Sequence, residues 1–302
     1  GVNMGKSAGF SGYGTIKEKM RLKTSVKGAQ SSQREIEIND FLETLLKEFN
    51  SRDVNAIQTH LSEIEKTLGR EIEGLEKILY GGSVSKHTFV EGTSDVDALV
   101  FLDSEVYKNQ TPGELQDIFY KMLQKRYPNT EIVKGALAVT VKFSDYEIQL
   151  LPAIRENGKV RIANRDRSGW STPIDSTAFT RRLTKTNKMN NNKVVPVIKL
   201  AKSLFSRLPQ QFQLSGYHVE ALAVKAFSTY NGRYTLYDMT KHLLNFSTKR
   251  VLAPMYDVTG QSGFIDDYLG PRNSINRQQL SHHIKGIANR FSVSDVISVI
   301  EL

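Results

Sequence analysis

Two short segments carry residue types suited to chemistry at a phosphate. In Asp95-Val96-Asp97 the carboxylates stand two positions apart. On a strand that spacing turns both to one face, where they offer hard oxygen ligands to a divalent cation. Gly81-Gly82-Ser83 lies upstream, with Ser83 twelve positions before Asp95. Glycines there leave backbone amides open to phosphate oxygens, and the serine adds a hydroxyl donor. Transfer at the α-phosphate of a nucleoside triphosphate needs its charge neutralised and a hydroxyl activated, which two magnesium ions about 4 Å apart do together. Either segment alone is weak, since Gly-Gly-Ser turns and solvated Asp-x-Asp pairs are both common. Their order and spacing carry the reading.

The surrounding elements fit the task of positioning them. Lys77-Ile78-Leu79-Tyr80 reads as a short strand running into the glycines, and Ala98 to Leu102 reads as its neighbour, entered directly from Asp97. Upstream, Ile38, Phe41, Leu42, Leu45 and Phe49, then Ile57, Leu61, Ile64 and Leu68, recur at helical spacing and predict two helices. Downstream, Thr111-Pro112-Gly113-Glu114 is a capping box opening a helix to about residue 125. Leu137 to Phe143 and Tyr146 to Leu151 predict a hairpin about Ser144-Asp145. Helices follow over 175–189, 194–207, 216–230, 235–247, 275–291 and 293–300. The expectation is an α+β chain: a Gly-, Ser- and Lys-rich arm over 1–33, a mixed sheet with helices over 34–160, and a mainly helical lobe over 161–302.

Taken in order, Gly82-Ser83, Thr88, Gly92, Ser94-Asp95-Val96-Asp97 and later Leu151-Pro152-Ala153 resemble the signature of the OAS and cyclic GMP-AMP synthase superfamily. That superfamily belongs to the polymerase β-like nucleotidyltransferases. Gly169-Trp170, Ser215 to Glu220, Asp266 to Gly270 and Arg277 extend the similarity to its bacterial branch, the CD-NTases of anti-phage CBASS systems. The resemblance implies a bilobal enzyme with its active site in the cleft. Such an enzyme joins ATP or other nucleoside triphosphates into short, usually cyclic, oligonucleotide second messengers and releases pyrophosphate. By the same resemblance Gly82 and Ser83 hold triphosphate, Asp95 and Asp97 bind two Mg2+ ions, and Lys202 contacts the triphosphate from the helical lobe, with Ser215 a looser match. It also implies a downstream effector reached through the product, and an activating protein partner or nucleic acid. Read from the residues alone, Lys202 is equally a solvated cation.

One position departs from the pattern. Where the superfamily places a third carboxylate shortly before Leu-Pro-Ala, this chain has Gln149. An amide oxygen can ligate a cation but adds no charge and cannot serve as general base. Glu147 lies two residues earlier, on the same strand face. Three readings stay open: Glu147 replaces the carboxylate, Gln149 suffices as a neutral ligand, or the protein binds nucleotide with little turnover.

Composition agrees and adds little. Forty-one Lys and Arg against 32 Asp and Glu give a formal charge of +9, which suits a polyanionic partner or merely a basic surface. The chain has no cysteine, which excludes disulfides and thiolate zinc sites. No run approaches the ~18 apolar residues of a membrane span. A cytoplasmic protein without membrane partners is expected. Arg165, Arg167, Arg181, Arg182 and Lys185 around Trp170 read either as the mouth of the triphosphate site or as a nucleic-acid face with a stacking aromatic. Tyr217 and His218 read as base-stacking or as core. The alternative functions are a template-independent transferase acting on RNA or a small molecule, and a nucleotide-binding regulator.

Overall fold

The computed structural model describes residues 31–50, 54–70, 72–80, 96–135, 138–164, 168–173, 175, 177–261, 263–292 and 295–301. The two expected N-terminal helices are α1, Ser31–Asn50, and α2, Val54–Gly69. They lead into β1, Leu75–Tyr80, and β2, Val96–Asp103. A single turn, α3, Ser104–Tyr107, starts where the Asp103 carboxylate accepts from the Glu105 amide. The capping box forms as expected at α4, Pro112–Arg126. Thr111 Oγ1 accepts from the Glu114 amide, and the Glu114 carboxylate accepts from the Thr111 amide at 2.7 Å. Strands β3, Glu131–Lys134, β4, Val139–Lys142, β5, Glu147–Glu156, and β6, Lys159–Ile162, complete the sheet.

The strand order is β1-β2-β5-β4-β3. β2 runs parallel to β5, and every other pairing among the described residues is antiparallel, so the sheet is mixed. The expected hairpin is β4–β5, with the Phe143 amide donating to Tyr146 O at 2.8 Å across Ser144-Asp145. On its edge away from β2, β5 pairs first with β4 and then, from Ala153, with β6. Strands β3 and β6 leave no mark in the sequence because each is four residues long and carries two charged residues, too short for alternation to show.

Alternation along β2 and β5 sorts the side chains into two faces. Ala98, Val100, Leu102, Ile148, Leu150 and Ile154 enter one core with Ile57, Leu61 and Ile64 of α2 and Leu115, Phe119 and Leu123 of α4. Phe101 and Ala153 belong to a separate, smaller cluster with Val160, against which Leu99 packs. The odd-numbered register is therefore the one the α2 and α4 core leaves uncovered.

The helical part consists of α5, Ala178–Met189, α6, Val194–Phe205, α7, Gly216–Phe227, α8, Leu236–Arg250, α9, Ile275–Arg290, and α10, Val296–Glu301. Helix α6 is its centre, burying Val197, Ile198, Ala201 and Leu204 among neighbours that include α1, α7 and α8. Packing divides the described residues into two compact units, one holding α2, the sheet and the residues from 96 to 181, and one holding α1 and the residues from 182 onward. This differs from the sequence-based division at 33/34 and 160/161 in two places. Helix α1 joins the helical unit because its buried face, Phe41, Leu42 and Leu45, belongs with α6 and α8. Residues beyond 160 stay with the sheet because Ala163 bridges to Trp170, whose indole N–H donates to Gln110 O at 2.9 Å. The Trp170 ring packs on the sheet core, so it serves as an anchor there rather than as a free stacking surface.

Within the helical unit, Arg277 is wholly buried at the start of α9. It donates to Gly270 O at 2.8 Å, to Val251 O at 2.9 Å and to the Asp266 carboxylate at 2.7 Å. Asp266 in turn accepts from the Met255 amide at 2.8 Å, so one ion pair braces the segment between α8 and α9.

Candidate active site

In the sheet unit, Asp97 is the second residue of β2, and its partner across the parallel ladder is Gln149 of β5. Gln149 also pairs with Thr140 of β4, so it lies in the interior of the sheet and is half-buried. Glu147 starts β5 at an exposed position, two residues or about 6.6 Å before Gln149 along the strand, at a rise of ~3.3 Å per residue. It pairs with Lys142, whose Nζ donates to Glu131 Oε1 at 2.9 Å. Glu131 chiefly, and Glu147 less, hold that ammonium's pKa above its ordinary value. The register thus sets Gln149 beside Asp97 and leaves Glu147 further along. Gly82, Ser83 and Asp95 lie outside the described residues.

A magnesium ion fits this chemistry in part. Carboxylate and amide oxygens are the hard ligands it prefers, and adjacent strands bring residues 97 and 149 together. The amide supplies an oxygen without a charge, so the set is one negative charge short of three carboxylates. Among the described residues, no group of three His, Asp or Glu converges on a metal position.

The helical unit gathers the other expected residues at the start of α7. Ser215 is its N-cap, with Oγ accepting from the His218 amide at 3.1 Å. Lys202 of α6 is not the solvated cation that its sequence also allowed: it is 4% exposed, and its Nζ donates to Glu220 Oε1 at 2.9 Å. Gly216 lies against the same ammonium, since a Cβ there would sit 3.4 Å from Lys202 Nζ. One turn earlier on α6, Lys199 has its pKa pulled below the ordinary value by burial and by the like charge of Lys202.

Tyr217 donates its hydroxyl to Asp257 Oδ1 at 2.6 Å, and burial, then that carboxylate, push the phenol well above its usual range. His218 is core: it is wholly buried, its Nδ1 lies 3.2 Å from Tyr268 Oη, and burial lowers its pKa to about 4, so the ring is neutral. In α5 the exposed Arg182 donates to Val258 O, and Arg181 pairs with Asp175 at 2.5 Å; Arg165 and Arg167 lie outside the described residues. Glu220 and Asp257 are the charged partners that the sequence reading did not assign. Glu220 falls inside a segment already singled out, but nothing local reveals a partner on another helix 18 residues away.

The family model for the Second Messenger Oligonucleotide or Dinucleotide Synthetase domain matches residues 36–187. No curated protein sequence matches the chain. Among solved structures, the Elizabethkingia meningoseptica CdnE cyclic dinucleotide synthase, solved with GTP and Apcpp, is 15% identical with a TM-score of 0.57 over 76% of this chain and 90% of its own. Vibrio cholerae DncV, a cyclic AMP-GMP synthase in complex with the linear intermediate pppA(3′,5′)pG, is 12% identical with a TM-score of 0.57 over 93% and 83%. E. coli MS115-1 CdnC, in its complex with HORMA, is 14% identical with a TM-score of 0.55 over 78% and 82%. At these identities the likeness is one of fold, and the mixed sheet with its helices is the fold of these synthases.

Proposed function

Because the chain belongs to the Second Messenger Oligonucleotide or Dinucleotide Synthetase family and is a nucleotidyltransferase, we propose that it joins nucleoside triphosphates into a cyclic di- or oligonucleotide second messenger for anti-phage defence. The observation that carries this reading to the site is the parallel register of β2 and β5, which sets Gln149 beside Asp97 on the sheet. Asp95, Asp97 and Gln149 would hold two Mg2+ ions. When bound, these ions supply charge neutralisation at the α-phosphate and lower the pKa of the attacking hydroxyl. Gly82 and Ser83 would serve the triphosphate through backbone amides and one hydroxyl, Lys202 as a point charge and Ser215 as a further hydroxyl.

A 2′ or 3′ oxygen of one nucleotide forms a bond to the α-phosphorus of another, the bond from that phosphorus to the bridging oxygen breaks, and pyrophosphate leaves. Glu147, exposed at the start of β5, takes the hydroxyl proton directly or through one water. For a dinucleotide a second attack closes the ring and releases a second pyrophosphate; a larger ring takes one attack and releases one pyrophosphate per nucleotide. CdnC is seen with HORMA, which motivates an activating protein partner here. We further propose that the product reaches a downstream effector and that the enzyme works in the cytoplasm. Among the described residues, no helix is long and apolar enough to cross a membrane.

Incubation with labelled ribonucleoside triphosphates and Mg2+, beside the Asp97→Asn variant, tests the proposal. The expected result is a phosphatase-resistant product that the variant fails to make; product unaffected by Asp97→Asn refutes the assignment. The neutral Gln149 motivates one second reading, a nucleotide-binding regulator, whose mark is magnesium-dependent binding with no pyrophosphate released.

A further inference from the structure

A buried ion pair and a bare glycine meet at the start of α7. Lys202 and Glu220 are 4% and 1% exposed, and Nζ to Oε1 is 2.9 Å. Above the ammonium lies Gly216, which is exposed to solvent. Its backbone does not require glycine: among the described residues the positive-φ glycines are Gly74, Gly158, Gly260 and Gly270, and Gly216 is not one of them. Nor does the helix call for it: in helix interiors glycine is poorer than alanine by roughly 0.8–1.0 kcal/mol. What glycine provides here is space. A Cβ would stand 3.4 Å from Lys202 Nζ and 3.6 Å from its Cε, so any other side chain at 216 would rest on the ammonium group.

We propose that Gly216 is the opening through which a phosphate of the nucleoside triphosphate reaches Lys202, and that Glu220 is the positioning residue that keeps the ammonium charged and aimed there. This rests on the function proposed above and adds two residues to it. An ammonium withdrawn from water is stable as a cation only beside a counter-charge. Glu220 supplies that charge from the second turn of α7, the helix that Gly216 opens. A phosphate arriving at residue 216 then adds a second anion to a cation already desolvated, where a charge-assisted contact is strong.

Gly216→Ala is the informative variant because 3.4 Å is an ordinary contact distance and alanine suits the helix, so the fold is kept while the opening is filled. Binding of a non-hydrolysable nucleoside triphosphate analogue and of the matching nucleoside is measured by calorimetry, with steady-state kinetics and thermal unfolding alongside. Gly216→Ala should unfold no earlier than the wild type, bind the analogue roughly tenfold or more weakly, and raise KM more than it lowers kcat. Nucleoside binding should not change. Glu220→Gln, which keeps a hydrogen-bonding oxygen without the charge, should show the same preference for losing the triphosphate.

If the wild type binds the analogue and Gly216→Ala binds it equally well, the opening is refuted while the proposed function stands. If Glu220→Gln alone leaves triphosphate binding intact, the positioning role of Glu220 is refuted. If the wild type binds no triphosphate, both this inference and the proposed function fall.

Discussion

Replacing Gln149 by Asp restores the third carboxylate and makes a quantitative test of the cation site. Gln149 is the ladder partner of Asp97, one strand spacing away. At ~5 Å and an effective dielectric of ~20, two like charges repel by roughly 3 kcal/mol. Gln149 is half-buried, so solvent screening reduces that to roughly 1 kcal/mol. Without magnesium the variant should therefore melt earlier than the wild type. A divalent cation reverses the sign, because each carboxylate then attracts the ion more than it repels its neighbour. The expected gain is roughly 1.5–3 kcal/mol, or about ten- to a hundredfold in the magnesium concentration for half-maximal pyrophosphate release. Thermal unfolding with and without Mg2+, and magnesium titration of turnover, measure the two halves separately. Gln149→Ala should shift the titration the other way. If Asp and Ala at 149 both leave the magnesium dependence unchanged, Gln149 does not face the cation and the register argument is wrong.

Two further predictions concern the helical unit. Replacing Arg277 by Met leaves Asp266 buried without its counter-ion and should cost roughly 3–5 kcal/mol, seen as a lower urea midpoint; a loss below ~1 kcal/mol would show that the pair does not brace the segment. His218 has its folded pKa lowered to about 4 by burial, so the unfolded chain takes up its proton first as pH falls. The stability that the neutral ring contributes is fully present above about 6.5 and is lost as pH drops towards about 4. Denaturation midpoints across that window should fall with pH in the wild type and flatten in His218→Gln, and identical slopes would remove His218 from the account.

Much of the fold was legible because its signals are local. The spacing Phe41, Leu42, Leu45 announces α1, and Thr111 with Glu114 announces the start of α4, since a helix face and a cap are both set within a few residues. Strands β3 and β6 were not legible, because four residues carry no periodicity and their pairing depends on β4 and β5. Allocation of α1 to the helical unit was equally hidden. Its apolar stripe announces that it must be covered but not by which neighbour.

The candidate site divides the same way. Sequence alone determined the residue types for phosphate chemistry, the family resemblance and the oddity of Gln149, because these depend on order and spacing along one chain. Only the tertiary structure decided that Gln149 rather than Glu147 is the residue paired with Asp97, because register is a relation between strands about 50 residues apart. It alone decided that Lys202 is a buried cation held by Glu220 beneath Gly216. Whether a lysine is solvated or sequestered depends on what packs around its ammonium, and in this chain the groups that do so come from another helix.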